Sequence, residues 1–355
     1  MTLSKNSTKL RTGLTWLVVG LLFAIGLAAC GDSPNTAPTA STTATTTATT
    51  VAPAVTVAST TAVATTAPAT TILGTTAPAP ATKINVMATT TQLGDFARSI
   101  GGNRVQVTQI LRPDDDPHDY EPTANDSKNA AAAQVIFKNG VGVDDWMDKI
   151  ITNSGTKAPL IDTSEGVKLR AGAGGEAKLG DPHIWHSTHN AKIIVATLAR
   201  GLTQADPAGK DYYQGQLTAY QKQLDDLKTQ INQIFAPVPV EKRKLVTNHD
   251  AFGYFTDEFQ ITVVGAVIPS FSDAAQPTPQ EINELIKNIK SNNVKVIFTE
   301  TTINPKVAEQ VAQAAGVKIY SNLYGDALGA PGSDGDTYLK MELTNAKNMV
   351  AGFQQ

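Results

Sequence analysis

The stretch that decides the fold is residues 206–239, which read DPAGKDYYQGQLTAYQKQLDDLKTQINQIFAPVP. Apolar side chains recur in it at steps that alternate between four and three residues: Tyr213, Leu217, Tyr220, Leu224, Leu227, Ile231 and Ile234. This spacing predicts one apolar face on a helix of about 25 residues, which Pro237 and Pro239 end.

Two interpretations of this helix are open. It could pair with a second copy as a coiled-coil dimer, or it could span two domains of a monomer. At 1.5 Å per residue it would be roughly 38 Å long, about the diameter of a domain. Three heptads without sustained charge pairs beside the apolar face are weak support for a coiled coil, so we favour the spanning helix.

Strands and helices alternate on both sides of this helix. Before it, the predicted elements are strands at 83–88, 105–111 and 135–138 and helices at 93–100, 125–133 and 190–202. After it, they are strands at 244–247, 262–267, 294–299 and 318–321 and helices at 279–292, 305–315 and 337–350. The alternation is typical of parallel sheets, whose ligand loops lie at the carboxyl ends of the strands. We therefore predict an α/β fold with two Rossmann-like lobes, residues 83–205 and 238–355, joined by one long rigid helix within residues 206–237.

Residues 1–30 have the pattern of a lipoprotein signal peptide. Three basic residues precede an apolar run from Leu14 to Ala29 that contains no acid. The run ends in small residues before Cys30, the only cysteine of the chain, as in a lipobox. We expect lipid on Cys30 to hold the protein at the extracytoplasmic face of the cell membrane. An ordinary signal peptide or a membrane-spanning anchor is the alternative.

Residues 31–82 are predicted to be a disordered tether. They are almost entirely Thr, Ala, Pro, Val and Ser, and Asp32 is their only charge, so they bury too little to fold. Without the three basic residues of the signal peptide, the chain has 26 basic and 32 acidic side chains, a formal charge of −6. This mildly acidic balance argues against a nucleic acid partner, which requires clustered cations.

The chain has five histidines, and three of them follow turn-forming or strand-ending residues. His118 and His183 each complete an Asp-Pro-His triplet, and His249 follows the predicted strand at 244–247. Imidazoles used so sparingly in such loops indicate a bound cation. The proline before each of the first two histidines fixes its own φ, so the loop loses less entropy when it binds.

A carboxylate is expected as the fourth ligand, because three imidazoles and one carboxylate form a set that suits Zn²⁺. Asp326 lies in a tight loop after the predicted strand at 318–321. Asp334 and Asp336 are close alternatives, although Asp336 precedes a helix and fits better as its N-cap. Glu300, at another strand end, could orient a ligand histidine from behind.

Other polar and aromatic side chains near these motifs have less specific interpretations. Trp185 and Tyr120 are expected to pack around the site and keep it dry. His186 and His189 could recruit metal, but a solvent-facing position at the start of a helix is the favoured interpretation. The acidic run at 114–116 is expected to be a solvated loop rather than an accessory cation site.

Four segments resemble, in the same order, signature segments of the zinc/manganese solute-binding lipoproteins of ABC importers, the ZnuA/TroA-like family. They are Pro117–Thr123, Asp181–Trp185, His249–Phe255 and Gly335–Tyr338. The resemblance implies a TroA-like fold with a helical backbone and metal in the cleft between the lobes. It also implies ligands at His118, His183, His249 and Asp326, and delivery to a permease driven by a cytoplasmic ATPase.

The resemblance also bears on which metal is carried. Manganese-type relatives tend to have a carboxylate where His249 stands, and imidazole suits Zn²⁺ better than Mn²⁺, so Zn²⁺ is expected and Mn²⁺ is the runner-up. A secreted zinc hydrolase is a rival function, but the chain lacks His-Glu-x-x-His, and no candidate base beside a ligand has a convincing role. A surface adhesin lipoprotein is a third possibility, which the tether and acidic balance permit.

Overall fold

The computed structural model describes residues 83–113, 115–172, 179–272 and 275–355. The predicted signal peptide, Cys30 and the tether lie outside these residues, as does Asp114. Within the described ranges, no helix combines the length and apolarity that crossing a bilayer requires.

The first lobe is built on a four-stranded parallel sheet with strand order β2-β1-β3-β4. Its strands are β1 (Ile84–Ala88), β2 (Val105–Gln109), β3 (Val135–Lys138) and β4 (Leu160–Asp162). Its helices are α1 (Thr91–Gly101), α2 (Ala124–Ala132), α3 (Met147–Ser154) and α4 (Thr188–Ala205). Because all strands run parallel, the loops that leave their carboxyl ends gather at one edge of the sheet.

The long helix α5 spans Lys210–Phe235, which confirms the prediction from its apolar spacing. Its buried face consists of Tyr213, Leu217, Tyr220, Leu224, Leu227, Ile231 and Phe235. This face packs against α1 and α4 of the first lobe and against helices of the second lobe. The helix therefore runs along both lobes within one hydrophobic core.

The second lobe repeats the alternation of strands and helices. Its strands are β5 (Lys244–His249), β6 (Thr262–Ile268), β7 (Val296–Glu300) and β8 (Lys318–Leu323). Its helices are α6 (Gly253–Phe259), α7 (Pro279–Ser291), α8 (Lys306–Ala315) and α9 (Tyr338–Phe353). The strands pair in parallel as β5 with β6 and β7 with β8. Strands β5 and β7 lie side by side, since the Glu300 amide donates to the side-chain oxygen of Asn248 at 3.0 Å.

The last helix, α9, connects the two lobes a second time. Tyr338 at its start packs on Phe96 of α1, with ring centroids 4.7 Å apart. Its hydroxyl donates to the Trp185 carbonyl at 2.7 Å, and its amide donates to Asp95 at 2.9 Å. A part of the second lobe is thereby fixed to the first.

The predicted α/β architecture with its long helix is confirmed, with corrections in detail. Three short elements, β4, α3 and α6, were missed because each is at most eight residues long and carries little periodicity. The prediction that Asp336 caps α9 is wrong. Thr337 is the N-cap, accepting from the Lys340 amide, whereas Asp336 accepts from the Gly332 amide and the Lys340 ammonium group.

Candidate metal centre

The four candidate ligands all lie at the carboxyl ends of parallel strands. His118 lies in the loop that follows β2, and His183 lies in the segment that follows β4. His249 is the last residue of β5, and Asp326 lies three residues after β8. The topology therefore delivers two ligands from each lobe.

The donor atoms of these four residues lie within 4.8 Å of one another. The Nε2 atoms of His118 and His183 are 3.3 Å apart. The two oxygens of Asp326 lie 3.4 Å from His183 Nε2 and 3.3 Å from His249 Nε2, and one of them is 3.9 Å from His118 Nε2. The structure thus brings together every residue that the sequence singled out as a ligand, and their role in binding metal stays a prediction.

The two Asp-Pro-His triplets form the same turn. In each, the aspartate side chain accepts from the backbone amide of the histidine two residues later, at 2.7 Å for Asp116 and 3.0 Å for Asp181. Such a turn holds the backbone locally, and the proline between the two partners restricts it further. The repeated Asp-Pro-His triplet therefore fixes the backbone from which each histidine side chain projects.

Two carboxylates orient the imidazoles of His183 and His249. The Nδ1–H of His183 donates to Asp181 at 2.9 Å, and the Nδ1–H of His249 donates to Glu300 at 3.0 Å. In the neutral form of each ring, this bond keeps the proton on Nδ1, so the lone pair of Nε2 faces Asp326. Glu300 thus lies where it was predicted, although its action on a bound metal stays a prediction.

Asp181 is held in turn by Arg170, whose guanidinium donates to it at 2.9 Å. Arg170 also donates to Asp257 of α6 at 2.8 Å. The Tyr254 hydroxyl, also on α6, donates to the Asp181 carbonyl at 2.8 Å. The second histidine is therefore supported from both lobes.

Several buried polar atoms in this cluster have no hydrogen-bond partner among the described residues. They are His249 Nε2 and both side-chain oxygens of Asp326. Buried polar atoms are nearly always paired, and an unpaired set that converges on one point is explained by a ligand that the atoms share. The cluster therefore fits a cation held by imidazole nitrogens and a carboxylate.

The electrostatics of the cluster differ from one histidine to the next. Burial lowers the pKa of His118 to about 3, and the neighbouring imidazoles add to this effect. Burial also lowers the pKa of His183, but the hydrogen bond to Asp181 and the negative charge of Asp326 nearby outweigh it and raise that pKa to about 9. Burial raises the pKa of Asp326, but the attraction of His249 and the other imidazoles holds it well below its usual value. Asp326 is therefore ionised at neutral pH and supplies a negative charge to the site.

A cavity of about 220 Å³ opens onto the cluster at His118. Its lining includes Val141, Leu179, Pro182 and Phe271. His118 is the candidate ligand that touches this cavity, so it marks the side from which solvent reaches the site. A larger surface cleft of about 490 Å³ lies at the opposite edge of β5 and β7 and contains none of the candidate ligands.

The loop that carries Asp326 is bound to the first lobe through its backbone. Gln92 donates from its side-chain amide to the Asp326 carbonyl at 3.0 Å. The Thr91 hydroxyl accepts from the Leu328 amide at 2.8 Å. The alternatives Asp334 and Asp336 are absent from the donor cluster. Sequence reasoning missed Thr91 and Gln92, since nothing local to α1 shows that its first turn faces residue 326.

Of the expectations for the two histidines that follow His183, one is wrong and the other is confirmed. His186 is buried, 1% exposed, and bonded to Glu342 and to the Gly325 carbonyl, so the prediction that it faces solvent is wrong. His189 is exposed, as expected.

The aromatic neighbours differ in their distance from the cluster. The Trp185 ring lies 5.4 Å from that of His183, so it packs on the cluster. Tyr120 instead stacks on Trp146 and donates to Asp126 at 2.8 Å. Trp146 in turn donates to the carbonyl of Pro117 at 2.9 Å. Tyr120 therefore supports the His118 loop only indirectly.

Comparison with known proteins identifies the family of this chain. Residues 86–352 match the model of the ZnuA family, described as zinc-uptake complex component A, periplasmic. The chain is 28% identical over 283 residues to the metal ABC transporter substrate-binding lipoprotein ScbA of Streptococcus cristatus, covering 78% of this chain and 90% of that protein. It is 27% identical over 280 residues to the manganese ABC transporter substrate-binding lipoprotein PsaA of Streptococcus pneumoniae, covering 77% and 90%.

Solved structures agree with this assignment. The periplasmic zinc binding protein TroA of Treponema pallidum superimposes with a TM-score of 0.71 at 27% identity, covering 76% of this chain and 99% of that one. A manganese-bound variant of the periplasmic metal binding protein of Candidatus Liberibacter asiaticus gives 0.70 at 25% identity, covering 76% and 99%. The protein is a binding protein and not an enzyme. The chain belongs to the ZnuA family, the extracytoplasmic solute-binding proteins of metal ABC importers.

Proposed function

We propose that this protein captures Zn²⁺ with His118, His183, His249 and Asp326 and delivers it, as a monomer, to the permease of an ABC importer. The observation that carries the proposal is the cluster of four donors within 4.8 Å of one another, in which His249 Nε2 and both oxygens of Asp326 have no hydrogen-bond partner among the described residues. The cleft histidines come from both lobes, so a bound ion would join the lobes.

The spacing of the donor atoms supports a small tetrahedral ion. Donors at about 2.0–2.2 Å from a tetrahedral centre lie roughly 3.3–3.6 Å apart. His183 Nε2 lies 3.3 Å from His118 Nε2 and 3.4 Å from one oxygen of Asp326, and both separations fall in this range. His249 Nε2 lies 3.3 Å from the other oxygen of Asp326. His118 is 3.9 Å from Asp326, and the four donor atoms spread over up to 4.8 Å, so we expect the donors to draw together when the ion binds.

The charges around the cluster support a divalent ion. Three carboxylates take part, namely Asp326 as a ligand and Asp181 and Glu300 behind two of the histidines. Arg170 contributes one positive charge beside Asp181. With neutral imidazoles the remaining balance is two negative charges, which an ion of charge +2 neutralises.

Metal analysis tests the proposal directly. The full chain, purified in detergent without chelator, is expected to contain about one equivalent of zinc and to prefer Zn²⁺ in competition titrations against Mn²⁺. The His189→Ala variant is the control, because that side chain is exposed. Absence of any tightly bound divalent metal from the wild-type protein would refute the proposed function.

Manganese is the second candidate, and one observation favours it. Both oxygens of Asp326 face the histidines, so the carboxylate could supply two hard donors and give a five-donor set. A preference for Mn²⁺ in the same titration would change the cargo and leave the importer role in place.

A substitution at position 249 separates the two metals, provided that its neighbour is changed as well. His249→Glu adds a hard donor, but Glu300 lies 3.0 Å from the ring that it replaces, so two carboxylates would face each other in a buried site. The double variant His249→Glu/Glu300→Gln removes that repulsion. We expect it to bind Zn²⁺ more weakly and to improve the binding of Mn²⁺ relative to Zn²⁺, whereas Glu300→Gln alone should keep the order of preference.

We further propose that Cys30 carries the lipid that holds the protein at the membrane surface. Support comes from the lipobox in the sequence and from relatives whose names call them lipoproteins. The Cys30→Ser variant should leave the membrane fraction and keep its metal content. A variant that remains in the membrane fraction would contradict this attachment.

A further inference from the structure

His186 is buried between the two lobes, three residues after the candidate ligand His183. Its Nδ1 lies 2.8 Å from Glu342 Oε1, and its Nε2 lies 3.0 Å from the Gly325 carbonyl oxygen. Glu342 belongs to α9 and is 1% exposed. Gly325 directly precedes the candidate ligand Asp326. The metal-binding proposal uses neither His186 nor Glu342.

The partners of this imidazole determine where its protons are. A carbonyl oxygen only accepts, so Nε2 of His186 must carry a proton and donate it to Gly325. The contact with Glu342 needs a second proton, which lies either on Nδ1 or on the carboxyl group. In both arrangements the pair is neutral overall and presents an N–H to the Gly325 carbonyl.

Burying the His186–Glu342 pair carries a desolvation penalty that an apolar pair in the same core would not have. Glu342 Oε2 has no hydrogen-bond partner among the described residues, and two apolar side chains of similar size would avoid the desolvation of both groups. What an apolar pair would not supply is the donor to Gly325. This donor is therefore the specific contribution of His186.

The Gly325 carbonyl lies at the centre of the contacts that bind the Asp326 loop to the first lobe. It accepts a second hydrogen bond from Trp185 Nε1 at 3.0 Å. On its other side the backbone passes so close to Glu300 that a Cβ at position 325 would lie 2.0 Å from that carboxylate. The loop is thus confined between His186 and Trp185 on one side and Glu300 on the other.

We propose that His186, backed by Glu342, is a positioning residue that holds the Gly325 carbonyl and thereby keeps the Asp326 carboxylate facing His183 before any metal arrives. The proposal rests on the proposed function in that Asp326 is taken as a ligand. The hydrogen bonds of this pair involve only the protein and do not depend on a metal, so we expect them in the metal-free state. The metal then meets a half-site that has already been ordered.

The test removes the donor without leaving a buried charge. In His186→Leu/Glu342→Met both polar groups are replaced by apolar ones, so the fold is kept while the Gly325 carbonyl loses one donor. In Glu342→Gln the amide can donate to Nδ1 and leave the Nε2–H for Gly325, so this conservative variant should keep the loop in place. His189→Gln, on the exposed side of the same segment, is the matched control.

Two readouts on the full chain in detergent separate positioning from packing. Amide hydrogen exchange of residues 325–328 in the metal-free protein should become about 10-fold faster in the double variant, because the loop loses its fixed contact. Zinc should dissociate about 10-fold faster. This is the lower end of the 10–100-fold loss of metal affinity that follows when a residue supporting a metal ligand is removed. Glu342→Gln and His189→Gln should stay within about twofold of wild type in both measurements.

Two results would overturn the proposal. One is a double variant whose exchange and zinc dissociation match wild type, and the other is a Glu342→Gln variant that loses as much as the double variant. If the wild-type chain bound neither zinc nor manganese, the proposed function would fail. The exchange measurement on the metal-free protein would still decide whether His186 holds the loop.

Discussion

The two Asp-Pro-His loops have the same local structure and different surroundings. In both, the aspartate accepts from the histidine amide, at 2.7 Å in the first loop and 3.0 Å in the second. In both, the proline carbonyl accepts from a side chain of the first lobe, Trp146 for Pro117 and Asn139 for Pro182. Three residues are therefore enough to build the same turn twice.

The histidines at the ends of these turns behave differently. The His118 side chain is 8% exposed at the cavity, and burial together with neighbouring imidazoles lowers its pKa to about 3. The His183 side chain is fully buried, and its hydrogen bond to Asp181 together with the negative charge of Asp326 outweighs burial and raises its pKa to about 9. The comparison shows that the same triplet can orient two ligands, whereas their pKa values and their access to solvent differ. These depend on whether the aspartate of the triplet also reaches the ring and on what the rest of the fold places around it.

The largest difference between the loops is expected from removing the histidines. His183→Ala should weaken zinc binding more than about 100-fold, because loss of a direct donor exceeds the 10–100-fold cost of an outer partner. His118→Ala should cost less, since water in the adjacent cavity can take the vacated position. Chelator competition measures both affinities. Equal losses would mean that exposure does not distinguish the two loops.

The aspartates offer a sharper comparison. Asp181→Asn keeps an acceptor for the turn but loses the charge that orients the His183 ring and pairs with Arg170, so zinc affinity should fall about 10–100-fold. Asp116→Asn also keeps the turn acceptor, and we expect a loss of at most about threefold. Titrations of the two variants side by side measure this ratio, and a larger loss at position 116 would reverse our assignment.

A pH dependence should appear in the support of the second loop. The side-chain amide of Asn139 donates to the Pro182 carbonyl, and the backbone amide of Asn139 donates to Asp144. Burial raises the pKa of Asp144 to about 6. Since this exceeds the unfolded value near 3.8, the stabilisation is complete below pH 3.8 and is lost as pH rises through about 6. Between pH 4 and pH 7 the wild type should lose about 2 kcal/mol relative to Asp144→Asn.

Urea unfolding of the metal-free proteins at both pH values measures this difference. Trp146→Phe, which removes the uncharged donor to the first loop, is the control and should show a difference from wild type that does not change with pH. A constant gap between wild type and Asp144→Asn would show that the carboxyl group titrates alike in the folded and unfolded chains.

The smallest effects are expected at the prolines. Pro117→Ala and Pro182→Ala each free the unfolded backbone, so each should lower the free energy of unfolding by about 0.4–1 kcal/mol. Both prolines are buried, and lost contacts add to this by similar amounts. Urea unfolding of the two variants checks the expectation. Values that differ by more than about 1 kcal/mol would show that the two turns are not equivalent.

Sequence patterns predicted the parts of the fold that repeat over many residues. The long helix followed from seven apolar side chains in regular spacing, and the α/β alternation followed from strands and helices of ordinary length. The short elements β4, α3 and α6 were not predicted, because eight residues or fewer are too few to show a helical or strand periodicity of apolar side chains. The predicted N-cap of α9 was one residue too early, because Asp336 and Thr337 are both suitable cap residues and Thr337 is the one that caps the helix.

For the candidate site, local motifs predicted which side chains the structure brings together, whereas contacts between residues distant in the sequence were missed. Asp326 was chosen over two neighbouring aspartates from its position after a strand, and it is the one that faces the histidines. His186 was misjudged because its partner Glu342 lies 156 residues away in the sequence. Gln92 contacts the Asp326 loop across 234 residues, and no local pattern signals such a contact.

The sequence by itself determined the apolar face of the long helix, the alternation of strands and helices, and the two turns that aim His118 and His183. These features depend on residues within a few positions of one another, whose interactions the chain order specifies. Only the tertiary structure decided that Glu300 stands behind His249, which histidine meets solvent and which helix holds the Asp326 loop. These contacts join residues that are far apart in the sequence. The contacts of the Asp326 loop with the first lobe also require that α5 and α9 pack the two lobes together.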